Sequence, residues 1–308
     1  MATEEAEDQL AWEARQRNPA AAAAAVAAVG IFVGTLWRGL ILNDRPTTGI
    51  LESITQAQEP GPIGGLPSLR VPTLEFYDDR AASVLLSSVV TGLGYLALGW
   101  ALTYLAVAVR ARRAEFPRLV VYLPLIGGVL QALTTVVAAF GTDAAIGNFL
   151  DGPRTVDAAN DITATGLTVF ATILGLPGAL ALALALVFVS LNAMRTGLLT
   201  RFMGVLGIIT GVLQILPFGG PLPVVQCFWL LMLAVLFAGQ WPGGMPPAWR
   251  SGKAEPWPSS AEMREQRAKA AAERRGETYE PEPPEEREPV TAGPSPSASA
   301  RKRKRKRR

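Results

Sequence analysis

Five stretches of this chain, 82–109, 119–140, 166–191, 202–216 and 222–239, hold no charged residue, and a sixth, 20–42, holds only Arg38 near its end. A helix rises about 1.5 Å per residue, so roughly 20 apolar residues cross a hydrocarbon layer of about 30 Å. Inside that layer backbone polar groups have no water to bond, which leaves the helix as the natural form of each run. The pattern predicts an all-α polytopic membrane bundle of about six transmembrane helices. The run 202–216 is the short one: its 15 residues rise only about 22 Å. Borrowing 197–199 or thinning the bilayer locally would close the gap. The uncharged turn 217–221 then makes a spanning hairpin with 222–239 the preferred reading, and a pair that dips in and returns the alternative.

Between the runs, charge sorts by sign. The flank before residue 20 carries Arg15 and Arg17, the loop 110–118 carries Arg110, Arg112, Arg113 and Arg118, the loop 192–201 carries Arg195 and Arg201, and Arg250 and Lys253 follow the last run. With six helices all of these fall on one side, which the positive-inside rule makes cytoplasmic. The loops 43–81 and 141–161 fall on the other side and are rich in Asp and Glu. Residues 1–19 are mostly acidic and do not have the basic start of a signal peptide, so 20–42 reads as a retained helix. The expected location is a bacterial inner (plasma) membrane, multi-pass, with both termini cytoplasmic. Abundant alanine and arginine suggest a GC-rich genome. Aromatic belts are expected at Trp37, Phe76, Tyr77 and Phe140 outside and at Tyr122, Phe202 and Trp241 inside.

Residues 112–133 and 195–216 align without a gap, with nine of 22 positions identical. The pairs Arg112/Arg195, Arg118/Arg201, Gly128/Gly211 and Gln131/Gln214 carry the match, because leucine and valine identities come cheaply in membrane helices. The alignment predicts a duplicated helical hairpin, helices 2–3 and helices 4–5, in a parallel arrangement found in some transporters.

Composition excludes more chemistry than it suggests. There is no histidine and one cysteine, Cys227. Histidine-based acid–base or nucleophilic catalysis, an internal disulfide and a thiolate zinc site are therefore out of reach. No motif asks for a cofactor or a metal. No ionisable residue lies deep in a run, against the habit of ion-coupled pumps. The chain is expected to be non-enzymatic, structural or regulatory; the alternative is a transporter or channel component.

A polar intramembrane site is the candidate for the alternative. Gln131 and Gln214 each lie 13 residues beyond a matched arginine, about 20 Å from the cytoplasmic end, and Gln226 falls at a similar depth. The three amides would meet in one layer, either bonding helix to helix or facing a polar ligand. Arg38, at the outer end of the first helix, would snorkel to headgroups or pair with an outer aspartate. Gly30-xxx-Gly34 and Gly207-xxx-Gly211 are small-residue faces for packing within the chain or in a homo- or hetero-oligomer. Pro177 predicts a kink in the fourth helix. The long outer loop contains 50–58 as a short helix capping the bundle. The carboxylates Asp151, Asp157 and Asp161 fit no calcium-loop spacing and read as solvated.

Residues 240–308 change character and read as a largely disordered cytoplasmic tail, with a short capped helix at 259–276. Its end, Arg301, Lys302, Arg303, Lys304, Arg305, Lys306, Arg307 and Arg308, is wholly basic. Anionic lipid headgroups are the expected partner, at about 1 kcal/mol per residue near the surface. Without interleaved aromatics, nucleic acid is a poorer fit.

The segment 192–204, Asn-Ala-Met-Arg-Thr-Gly-Leu-Leu-Thr-Arg-Phe-Met-Gly, resembles one in uncharacterised bacterial multi-pass membrane proteins of the domain-of-unknown-function kind, where an Arg-x-Gly-Leu-x-x-Arg loop precedes a glycine-rich helix. The resemblance covers about 60 residues. It implies a bundle of six or seven helices and brings no activity or site residue.

Overall fold

The computed structural model describes residues 2–257, apart from 165, 216–222 and 243. The turn 217–221, the helix expected at 259–276 and the basic end 301–308 lie outside the described residues. Residues up to Trp257 form one compact unit. All regular elements among the described residues are helices: α1 (Ala2–Ile41), α2 (Ile50–Ala57), α3 (Val71–Asp78), α4 (Ala81–Arg112), α5 (Arg118–Asp151), α6 (Val156–Asp161), α7 (Gly166–Arg195), α8 (Arg201–Ile215), α9 (Val224–Phe237) and α10 (Ala248–Ser251).

Four helices, α1, α4, α5 and α7, are long and apolar enough to cross a membrane, and α8 and α9 are shorter apolar helices of 15 and 14 residues. The long helices turn large apolar side chains outward, among them Leu93, Trp100, Ile173 and Leu176, each more than half exposed. Water would penalise such a surface at about 25 cal/mol per Å², whereas lipid tails do not. The chain is an all-helical membrane protein.

The bundle is a chain of neighbours. α1 packs on α4 and α9, α4 on α5, α5 on α7, and α7 on α8. Several crossings require glycine, α1–α4 and α4–α5 among them. A Cβ on Gly94 of α4 would sit 2.7 Å from the backbone nitrogen of Ile31, and one on Gly30 of α1 would sit 3.1 Å from the Val90 carbonyl oxygen. Gly99 and Gly128 do the same for α4 and α5, where a Cβ on Gly128 would lie 2.7 Å from the Tyr95 carbonyl oxygen. Without side chains at these points the backbones come close enough for dispersion to act along the whole seam.

The apolar runs locate the helices but understate their length. α5 continues to Asp151 rather than ending at 140, and α1 begins at Ala2 rather than at 20. Hydropathy marks only the part suited to hydrocarbon. The extra turns of α5 are held by a second small core, in which Ala145, Ile146 and Phe149 bury against Leu74 of α3 and against Ala159 and Ile162. Helix α2 forms where a short helix is expected, with the Gly49 N–H donating to the Glu52 carboxylate at 3.1 Å. It does not cap a core, because none of its residues is buried and Ile50 and Leu51 are each 80% exposed.

Candidate functional site

The most constructed polar site lies at the end of the bundle where α1 starts and α4 finishes. The side chain of Arg112, in the last turn of α4, is completely buried, and that of Glu13 of α1 is nearly so. The guanidinium uses every donor. Nη1 donates to Glu13 Oε1 at 2.5 Å and to the Ala108 carbonyl at 2.9 Å. Nη2 donates to Glu13 Oε2 at 2.9 Å and to the Ala248 carbonyl at 2.8 Å, and Nε donates to Ala248 again at 3.1 Å. The fork-to-fork geometry is the strong form of an ion pair, and the two backbone carbonyls complete the solvation that burial removed. Gln9 adds a hydrogen bond to Glu13 Oε1 at 3.0 Å.

Arg112 thereby fastens three segments: α1 through Glu13, its own α4, and the stretch after α9 through Ala248. Aromatic rings close around the joint. Tyr104 stacks on Trp12 and on Trp249, with Phe237 edge-on, and its hydroxyl donates to the Glu13 carbonyl at 3.1 Å. The Arg112 guanidinium lies 5.4 Å from the Trp249 ring centre. Trp249 Nε1 donates to the Leu198 carbonyl at 2.9 Å, and Trp257 Nε1 donates to Leu199 at 2.7 Å. Arg17 donates to the Phe237 carbonyl at 2.6 Å, where Gly239 turns the chain out of α9 at φ +77°. So residues 244–257, which composition groups with the tail, dock on the bundle. Proline and glycine stop α9, but Trp249 and Trp257 supply the apolar area that pins the segment beyond it.

Local sequence gives little warning of this site. Glu13 stands among Glu4, Glu5, Glu7 and Asp8 and reads as one more solvated acid. Arg112 reads as one of four topology markers in its loop. The available signal was Trp12 next to Glu13, with further tryptophans at 249 and 257 beyond the last apolar run.

The residues of the expected amide layer stand on α5, α8 and α9. Gln226 of α9 is buried, and its Nε2 has no hydrogen-bond partner among the described residues. Gln214 of α8 is half-buried, and its side chain meets the hydroxyl of Tyr95 on α4, near Cys227. Gln131 lies on the α5 face toward α7, where a Cβ on Gly178 would come within 3.3 Å of its backbone nitrogen. Arg38 is elsewhere, exposed at the opposite end of the bundle from Arg112, on the wall of a cavity of about 460 Å³. Gly30 and Gly34 face α4, and Gly207 and Gly211 face α7, so both small-residue faces are occupied within the chain. Asp151, Asp157 and Asp161 are exposed, and no group of three metal-binding side chains converges among the described residues.

Compared with known proteins, the chain matches no family model, no curated protein and no solved structure.

Proposed function

We propose that this chain is a non-enzymatic integral membrane protein, structural or regulatory, whose bundle anchors a basic tail at the inner face of a plasma membrane. The observation that carries this reading is the Arg112 joint. It ties the stretch after α9 to the first and second long helices, so that Trp257 is held against the arginine-bearing 192–201 loop. In this reading α8 and α9 complete six spans, both termini are cytoplasmic, and 301–308 lies against anionic headgroups. Arg113 donating to Asn192 at 3.0 Å supports the common side, because it joins two loops rich in arginine.

The duplicated hairpin belongs to the same proposal, α4–α5 matching α7–α8. In support, Gly128 and Gly211, equivalent in the repeat, each pack on their own hairpin partner, Gly128 on α4 and Gly211 on α7. The partner residues differ by about one turn, as expected of copies that have diverged.

Single cysteines placed in 113–117 and in 152–155 of a Cys227→Ala background test the topology. The first should react with an impermeant maleimide only after the membrane is opened, the second in intact cells; the reverse pattern would refute the orientation. A 258–308 peptide should bind liposomes more tightly as anionic lipid rises and lose that binding in salt. Equal binding to neutral liposomes would remove the lipid-contact role.

The transporter reading keeps one specific support, the buried Gln226 amide, whose Nε2 has no partner among the described residues. Uptake into proteoliposomes that Gln226→Leu abolishes, with the fold retained, would favour it.

A further inference from the structure

We infer that the cavity at the Arg38 end of the bundle is a binding site for a phosphate-type oxyanion, supplied either free in solution or as the headgroup of an anionic phospholipid. Arg38 of α1, Arg45 of the following loop and Arg70 before α3 all line it. No carboxylate is among its lining residues; Asp143 lies on a smaller adjoining cavity that shares Arg38. Three arginines therefore line one space of about 460 Å³, with no acidic residue in the same wall to balance them. That size lies within the range of roughly 300–1,000 Å³ typical of small-molecule sites.

The donors are uncommitted where an anion needs them. Arg38 and Arg45 make no hydrogen bond or ion pair among the described residues. Arg70 commits one Nη1 bond to the Ala159 carbonyl at 3.3 Å, which sets its direction and leaves the rest of its fork open. Tyr77 and Thr142 also line the space, and their hydroxyls donate to nothing among the described residues. The other threonines of the wall are already used, Thr73 donating to the Pro46 carbonyl at 2.7 Å and so holding the Arg45 loop against α3. Planar guanidinium forks match the paired oxygens of a phosphate, and convergent positive charge in a concave wall focuses the field on an entering anion. The floor is firm, since Leu74, Ile146 and Ile162 belong to the second core.

The test uses the full chain purified in a neutral detergent, with two probes. One is radiolabelled inorganic phosphate in an equilibrium binding assay. The other is phosphatidylglycerol retained through purification, read by native mass spectrometry against phosphatidylcholine. The wild type should bind phosphate saturably or retain phosphatidylglycerol selectively. The first result assigns a free anion as the source, the second a lipid headgroup. Arg38→Gln/Arg45→Gln should weaken that binding by about ten-fold or more, the loss expected from removing charge-assisted hydrogen bonds. Arg15→Gln, the same charge change on an exposed residue away from the cavity, should leave it unchanged. Should the double variant fail to run as a single species on size exclusion, the two single variants carry the same comparison. Binding equal in wild type and arginine variants, or no binding of either probe by the wild type, overturns the proposal.

Discussion

Arg112 and Glu13 show how a charge can enter a membrane protein at acceptable cost. Each would be several kcal/mol worse off alone in a dry site, and together they are fully hydrogen-bonded. Removing one partner is then far worse than removing both. Glu13→Gln or Arg112→Met should lower stability by about 3–5 kcal/mol, and the double variant Glu13→Leu/Arg112→Met should recover most of it. Thermal unfolding in detergent measures this, and a double variant no more stable than either single one would show that the ion pair itself is what the fold needs. Glycine gives a contrast of the same kind. Gly94→Val places a side chain against the α1 backbone and should separate α1 from α4, whereas Gly39, with nothing within 4 Å of its Cβ direction, should accept alanine and gain up to about 1 kcal/mol from helix propensity. Unfolding temperatures of the two variants should move in opposite directions.

At the scale of elements, hydropathy finds the parts of helices that suit lipid and stops there. The runs 82–109 and 166–191 lie within α4 and α7, which extend only a few residues further. Those starting at 20 and 119 belong to helices that extend well beyond them at one end, because the added turns are held by tertiary partners that no window average contains. The stretch after α9 is the sharpest case. Its glycines and prolines resemble a linker, yet two indole N–H groups reach backbone carbonyls of the α7–α8 turn. Trp249→Ala/Trp257→Ala should free this stretch. Limited trypsin digestion should then cut at Arg250 and Lys253 much faster than in wild type, and an unchanged rate would mean the docking has no energetic weight. The sequence marks Gln131, Gln214 and Gln226 as three polar positions at similar depth. Depth along a helix comes from counting residues, but the direction each glutamine faces depends on which helices become neighbours.

For the whole molecule, the two ends of the bundle do different things with arginine. At one end Arg17, Arg112 and Arg113 are consumed in hydrogen bonds that hold segments together. At the other, Arg38, Arg45 and Arg70 surround an open space. That the chain is helical and lives in a membrane can be read from the residues alone, since both result from long charge-free runs and the need of each run to satisfy its own backbone. The residues also determine which chemistries are absent, because a missing residue type is missing in every fold. Which charges are buried, which are paired and which share one cavity follows from packing alone. Glu13, Arg112 and Ala248 are far apart in the chain, and so are Arg38, Arg70 and Thr142. Burial and pairing depend on distances between residues that sequence spacing does not fix, whereas membrane insertion sums contributions that lie side by side.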